Sequence, residues 1–153
     1  MEFDKRAFLN AQMVARQAEI RVDGAAAFFT PTEEGEEVSP VWVVRGLTGA
    51  ELSKVYELPA RQTRLANIAT ALATANADRE KIAEIRAALG LYDGLTLDVK
   101  KRLEMLTMGS VSPETPLPVA RKIFDRFPVD FYNLTTKIME LTGLGAAADE
   151  GKS

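Results

Sequence analysis

Cysteine and histidine are both absent from the 153 residues. Their absence removes thiolate nucleophiles, disulfides, thiolate zinc sites and imidazole general bases together. A Ser-His-Asp hydrolase is therefore impossible, and carboxylate-only chemistry survives in principle. The densest acidic run, "TEEGEEVSP" at residues 32–40, lies among glycine and proline. It lacks the alternating oxygen ligands of a calcium loop, so it reads as solvated chain. Neither an enzyme, a metal site nor a cofactor is expected. The chain also lacks an apolar run of signal-peptide length, and its start carries Glu2, Asp4, Lys5 and Arg6. That pattern leads us to expect a cytoplasmic protein. A net charge of −3 gives no general pull toward nucleic acid.

Two motifs invite chemistry and lose it on inspection. The final "AAADEGKS" fits a relaxed phosphate-loop pattern from Ala146 to Ser153. Such a loop joins a buried strand to a helix N-terminus. Here the first position is Ala rather than Gly, and what precedes it is the helical periodicity of "NLTTKIMELTGLG". Residues 146–153 are expected to form a disordered tail. The basic cluster Lys100, Lys101 and Arg102 could touch phosphates, but beside Val99, Leu103 and Leu106 it reads as the wet face of a helix.

What is present is enough for one domain: 46% hydrophobic residues, 27% charged, in a length that buries a core. "FDKRAFLNAQ" suggests a short helix. "AEIRV" alternates as a half-buried strand does, and "VWVVRGL" is rich in β-branched and aromatic residues. An acidic loop at about residues 23–40 would join these two strands into a small antiparallel hairpin. "LTGAEL" follows, with Thr48 as N-cap, Glu51 three residues on, and Leu47 and Leu52 spaced as a hydrophobic staple, so a helix starts here.

Pro59 should interrupt or kink that helix. Beyond it, Leu65, Ile68, Ala69 and Leu72 recur at helical spacing. Ile82, Ile85 and Leu89 share a face before Gly90, and "YDGLT" makes a turn. Thr96 caps a helix carrying Val99, Leu103 and Leu106, and "GSVSPETPLP" is a proline-rich break. Ala120, Ile123, Phe124 and Phe127 form a further stripe. Pro128 opens a last helix with Phe131, Leu134, Ile138 and Leu141 on one face, closed by Gly143 or Gly145. The expected fold is mainly α, a single domain at residues 1–145 of several short amphipathic helices with a small N-terminal β-hairpin.

Three stretches in this order, "VWVVRGLTGAEL", "KKRLEMLTMGSVSPE" and "VARKIFDRFPVDFYNLTTKIMELTGLG", resemble the tail assembly chaperones of long-tailed, siphovirus-type bacteriophages and prophages. The resemblance covers roughly residues 20–145 and is most specific over 127–143. It implies a non-catalytic protein of the host bacterial cytoplasm, absent from the mature virion, that binds the helical tape-measure protein and keeps it soluble until tail tube protein assembles around it. Short amphipathic helices suit the covering of apolar stripes on such a partner. Tyr132 and Met139, beside the core stripe of the last helix, and Phe28 and Phe29, in the acidic loop, are the candidate partner-binding residues. Finishing the core is the competing role for all four. Self-association remains open.

The resemblance also implies a second, longer product made by a −1 ribosomal frameshift, which recruits the tube protein. Glu150, Gly151 and Lys152 can be encoded GAG-GGA-AAG, a sequence on which both tRNAs can re-pair one nucleotide upstream. The alternative class is a small helical nucleic-acid-binding regulator, for which only Lys100, Lys101 and Arg102 offer a basic element.

Overall fold

A reciprocal cap starts the second helix where the sequence places it. In the computed structural model, which describes residues 1–75, 78–88 and 94–147, the Glu51 backbone N–H donates to Thr48 Oγ1 at 3.2 Å and the Thr48 N–H donates to Glu51 Oε1 at 2.9 Å. Two donors that no intrahelical carbonyl reaches are thereby satisfied. This helix is α2 (Gly49–Tyr56). Before it come α1 (Lys5–Asn10), β1 (Met13–Val14), β2 (Gln17–Arg21), a 3-10 helix (Asp23–Phe28) and β3 (Val41–Arg45). After it come α3 (Leu58–Ala75), α4 (Arg79–Ala88), α5 (Leu97–Gly109), β4 (Ser110–Ser112), α6 (Leu117–Arg126), α7 (Pro128–Leu141) and β5 (Ala146–Ala147). The fold is mainly α with a small antiparallel sheet.

The expected hairpin is present, with β2 and β3 paired from Gln17↔Arg45 to Arg21↔Val41. A third strand joins it: β4 pairs antiparallel with the other edge of β3. Its three residues fall in the stretch read as a proline-rich break, because a run so short shows no period. Trp42 fixes it in place by donating its indole N–H to Ser110 Oγ at 3.0 Å. Separately, Met13 and Val14 pair with Ala147 and Ala146. These alanines therefore belong to a two-stranded ribbon rather than to a tail that begins at residue 146. The tail beyond Ala147, the Leu89 and Gly90 positions and the Tyr92–Asp93 part of the expected turn lie outside the described residues.

Helix α7 supplies the centre of the core. Phe131, Leu134, Ile138 and Leu141 are buried, as their spacing predicts, against Val99, Leu103 and Leu106 of α5, Ala120 and Ile123 of α6, and Trp42 and Val44 of β3. Each such large side chain contributes about 1.5–3 kcal/mol by leaving water. Two glycines set how closely these layers meet. A Cβ at Gly109 would stand 2.8 Å from Ile138 Cδ1, and one at Gly46 would fall on the backbone carbonyl of Leu141. Thr142 closes α7, and Gly143 follows at φ 83, the left-handed backbone that ends a helix without steric cost in glycine.

Helix α3 departs from expectation. Ala69 is buried, but Ile68 and Leu72 are 53% and 45% exposed, so they do not belong to the core stripe. The helix turns its Leu58 and Ala69 side inward, and the small Ala69 permits close approach where a larger residue would not. Pro59 does interrupt the chain as expected: α2 ends at Tyr56, and Pro59 is the second residue of α3, where its missing N–H leaves no bond unmade.

Sheet and helices are tied together at one guanidinium. Arg45 donates to both carboxylate oxygens of Glu51 at 2.7 and 2.8 Å, and also to the carbonyls of Gly46 and Met108 at 3.0 and 2.8 Å. The hydrogen bonds from Arg45 are the largest cause holding the Glu51 carboxyl at about 2, against the opposing effect of burial, with Thr48 assisting. A carboxyl depressed in this way stabilises the fold fully above its ordinary value of 4.5 and loses that contribution as pH falls toward about 2. Linkage makes the contribution about 3 kcal/mol. Glu51→Gln should therefore lower stability at neutral pH by about 2 kcal/mol and flatten the acid limb of the stability curve, measured by urea denaturation at successive pH values. In a second test, Gly46→Ala should destabilise by about 3 kcal/mol or more. Gly49→Ala, at a position with open space around it, should leave the melting temperature unchanged or raised.

Candidate partner-binding surface

The outer side of α7 carries its own stripe. Val129, Tyr132, Thr136 and Met139 follow one another at intervals of three, four and three residues, which sets them along one flank of the helix. All four are exposed. Tyr132 is 38% and Met139 54% accessible, so neither is consumed by the core. Val129 is exposed as well.

Tyr132 is held rather than loose. Its ring meets Phe131 edge-on at 5.4 Å, and the Arg102 guanidinium lies 4.8 Å from its centroid. Arg102 in turn donates to Thr135 Oγ1 at 2.8 Å, to Thr136 Oγ1 at 3.3 Å and to Asp98 Oδ2 at 3.1 Å. The Thr135 hydroxyl is fully buried and donates to the Phe131 carbonyl at 3.0 Å. One cation from α5 thus fixes an aromatic ring that α7 presents to solvent. A preorganised aromatic loses little freedom when a partner covers it.

Phe28 and Phe29 part company. Phe28, at the end of the 3-10 helix, is 77% exposed, whereas Phe29 packs against the core cluster. Phe29 is therefore withdrawn from the surface and given the structural role. The segment before it is pressed down by Gly24, where a Cβ would stand 2.7 Å from Phe127 Cδ1. Asp130, in the first turn of α7, has its carboxyl raised above the ordinary value, first by burial and then by the charge of Asp23.

The basic cluster is not the wet face that the sequence suggests. Lys100 donates to Gln62 Oε1 at 3.2 Å, Lys101 lies 5.8 Å from the Tyr56 ring centroid, and Arg102 faces α7. All three are half-buried because α5 is flanked by α2, α3, α6 and α7. The second large exposed stripe, Ile68 and Leu72 on α3, was hidden from the sequence by its neighbour Ala69, which shares the same helical period.

Among the described residues there is no group of three or more acidic side chains placed to hold a metal ion. No helix among them is long and apolar enough to cross a membrane. No family model, curated protein or solved structure matches the chain.

Replacing Arg102 by Met keeps an apolar stem over α7 but removes the guanidinium. The expected loss is about 1–2 kcal/mol, from one cation–π contact and the charged hydrogen bonds to threonine. The near-ultraviolet circular dichroism of tyrosine should weaken in parallel as the ring of Tyr132 gains freedom.

Proposed function

We propose that this protein is a tail assembly chaperone of a long-tailed bacteriophage or prophage, which binds the tape-measure protein and keeps it soluble in the host cytoplasm. The observation that carries the reading is the rigid apolar flank of α7. The part of the chain that resembles this family most specifically, residues 127–143, is the part that builds both the buried centre and the exposed Val129, Tyr132 and Met139 stripe.

A partner made of long amphipathic helices exposes apolar stripes that aggregate unless covered. A helix flank with a fixed aromatic and a pliable methionine can lie along such a stripe through contacts spaced by three and four residues. The chemistry required is burial alone, and no reacting group takes part. The engagement of Lys100, Lys101 and Arg102 within the chain weighs against the nucleic-acid alternative, which needs those cations for phosphates. Recruitment of tube protein through a frameshifted longer form belongs to the same proposal.

Co-expression with the tape-measure protein should raise that protein's soluble yield. Changing Tyr132 and Met139 together to Ala should reduce the yield and the co-purified amount while leaving the chaperone's melting temperature within a few degrees of the parent. Undiminished co-purification with the double variant would remove α7 from the binding surface.

A further inference from the structure

We propose that the acidic loop of one copy of this protein seats on the basic groove of α6 in a second copy. The inference stands apart from the tape-measure reading, because it uses neither the α7 flank nor the α3 stripe. Both halves of the contact are exposed in the chain. The loop carries Glu33, Glu34 and Glu37, whose side chains make no hydrogen bond or ion pair among the described residues.

The fourth glutamate shapes the loop. The Glu36 carboxylate accepts from the Thr32 N–H at 3.1 Å, from the Thr32 hydroxyl at 3.1 Å and from the Glu33 N–H at 3.3 Å. Gly35 takes φ 86 to close the turn. The loop is therefore folded on itself, with the other three glutamates exposed and outside its internal bonds. Phe28 stands at its base, exposed, with a core that has already taken Phe29.

The receiving surface has the opposite character. A groove of about 420 Å³ runs along α6, with Leu95 and Phe124 contributing apolar surface and Lys122 and Arg126 contributing cations, while Arg121, which has a partner of its own, and Asp125 complete the lining. Lys122 and Arg126 are exposed and lie on one side of the helix, while its other side buries Ala120 and Ile123. In a chain of net charge −3, this is a local excess of positive charge. An aromatic anchor beside three carboxylates matches an apolar groove with a cationic rim in both charge and order.

Among the described residues, no ion pair joins Glu33, Glu34 or Glu37 to Lys122 or Arg126 of the same chain, which leaves both surfaces open to a second copy. A reciprocal exchange, each loop in the other's groove, closes as a two-fold dimer.

Sedimentation velocity of the 153-residue protein tests the contact. The sedimentation coefficient should rise with protein concentration at low salt. Most of that rise should disappear near 1 M salt, where charges are screened beyond about 3 Å. Three variants should each sediment as a monomer with an unchanged melting temperature: Phe28→Ser, the loop variant Glu33→Lys with Glu34→Lys and Glu37→Lys, and the groove variant Lys122→Glu with Arg126→Glu. Mixing the loop variant with the groove variant should restore association, since each reversed surface then meets its complement.

A parent protein that stays monomeric at every concentration and salt overturns the proposal, as does association that survives both reversals. Binding of a labelled DNA duplex by the parent and the loop variant, lost in the groove variant with no self-association in any of them, would assign the groove to nucleic acid and overturn it too. Loss of tape-measure binding by the α7 double variant leaves this result untouched, so the two readings fail separately.

Discussion

Arg45 sits where three parts of the fold meet, and its guanidinium touches all of them. It leaves β3 at the end of the central strand, reaches both carboxylate oxygens of Glu51 at the start of α2, and donates to the Met108 carbonyl at the end of α5. The electrostatics at the two helix ends are of opposite sign. Glu51, a carboxylate in the first turn of α2, faces the positive end of a helix dipole, and the Arg45 cation faces the negative end of α5. Arginine alone among the side chains has a planar fork of donors that can serve a bidentate carboxylate and two carbonyls together. With the pair mostly shielded from water, removal of either partner leaves a charge with no equal substitute. Sheet and helices are held in one relative position by that arrangement.

That position is what makes the close packing of α7 possible. Gly46 follows Arg45 directly and leaves room for the Leu141 backbone, while the Leu47 N–H donates to Thr142 Oγ1 at 3.1 Å just past the helix end. At the other contact, Gly109 lets the end of α5 rest on Ile138. A displacement of β3 by the length of one methyl group would put backbone on backbone, so the clamp and the two glycines depend on each other. The outward flank of α7 inherits this rigidity. Its backbone cannot shift without disturbing two close contacts on its inner side, and Arg102 fixes the Tyr132 ring from α5.

Much of this was legible in the sequence because local rules decided it. The cap at Thr48 needs only four residues, and the stripe from Phe131 to Leu141 repeats often enough for its period to stand out. Tyr132 and Met139 could be set beside that stripe by angle alone. What failed depended on partners distant in sequence. Ile68 and Leu72 share a helical period with Ala69, and only the approach of neighbouring helices selects which arc turns inward. Phe28 and Phe29 are adjacent and chemically identical, so their opposite fates come from the 3-10 helix that ends between them. The third strand is set by the Trp42 bond to Ser110 across 68 positions, and no window of neighbouring residues contains that information.

The two exposed apolar stripes differ in their support, and the difference bears on what each can do. The α7 flank is backed by the densest part of the core. Helix α3 has only Leu58 and Ala69 buried, and its Thr63, Thr70 and Thr74 hydroxyls donate back to the carbonyls four residues earlier, at 2.9–3.0 Å. Such bonds satisfy the hydroxyls but tend to bend a helix and add little to its stability. With few buried apolar contacts, α3 is held more by polar bonds, from Arg61 to both Glu104 carboxylate oxygens at 2.8 Å and from Lys100 to Gln62 Oε1 at 3.2 Å, than by the core. A fixed flank recognises a repeated spacing, because its contacts cannot drift to fit another. A loosely supported helix accommodates variation in what it meets.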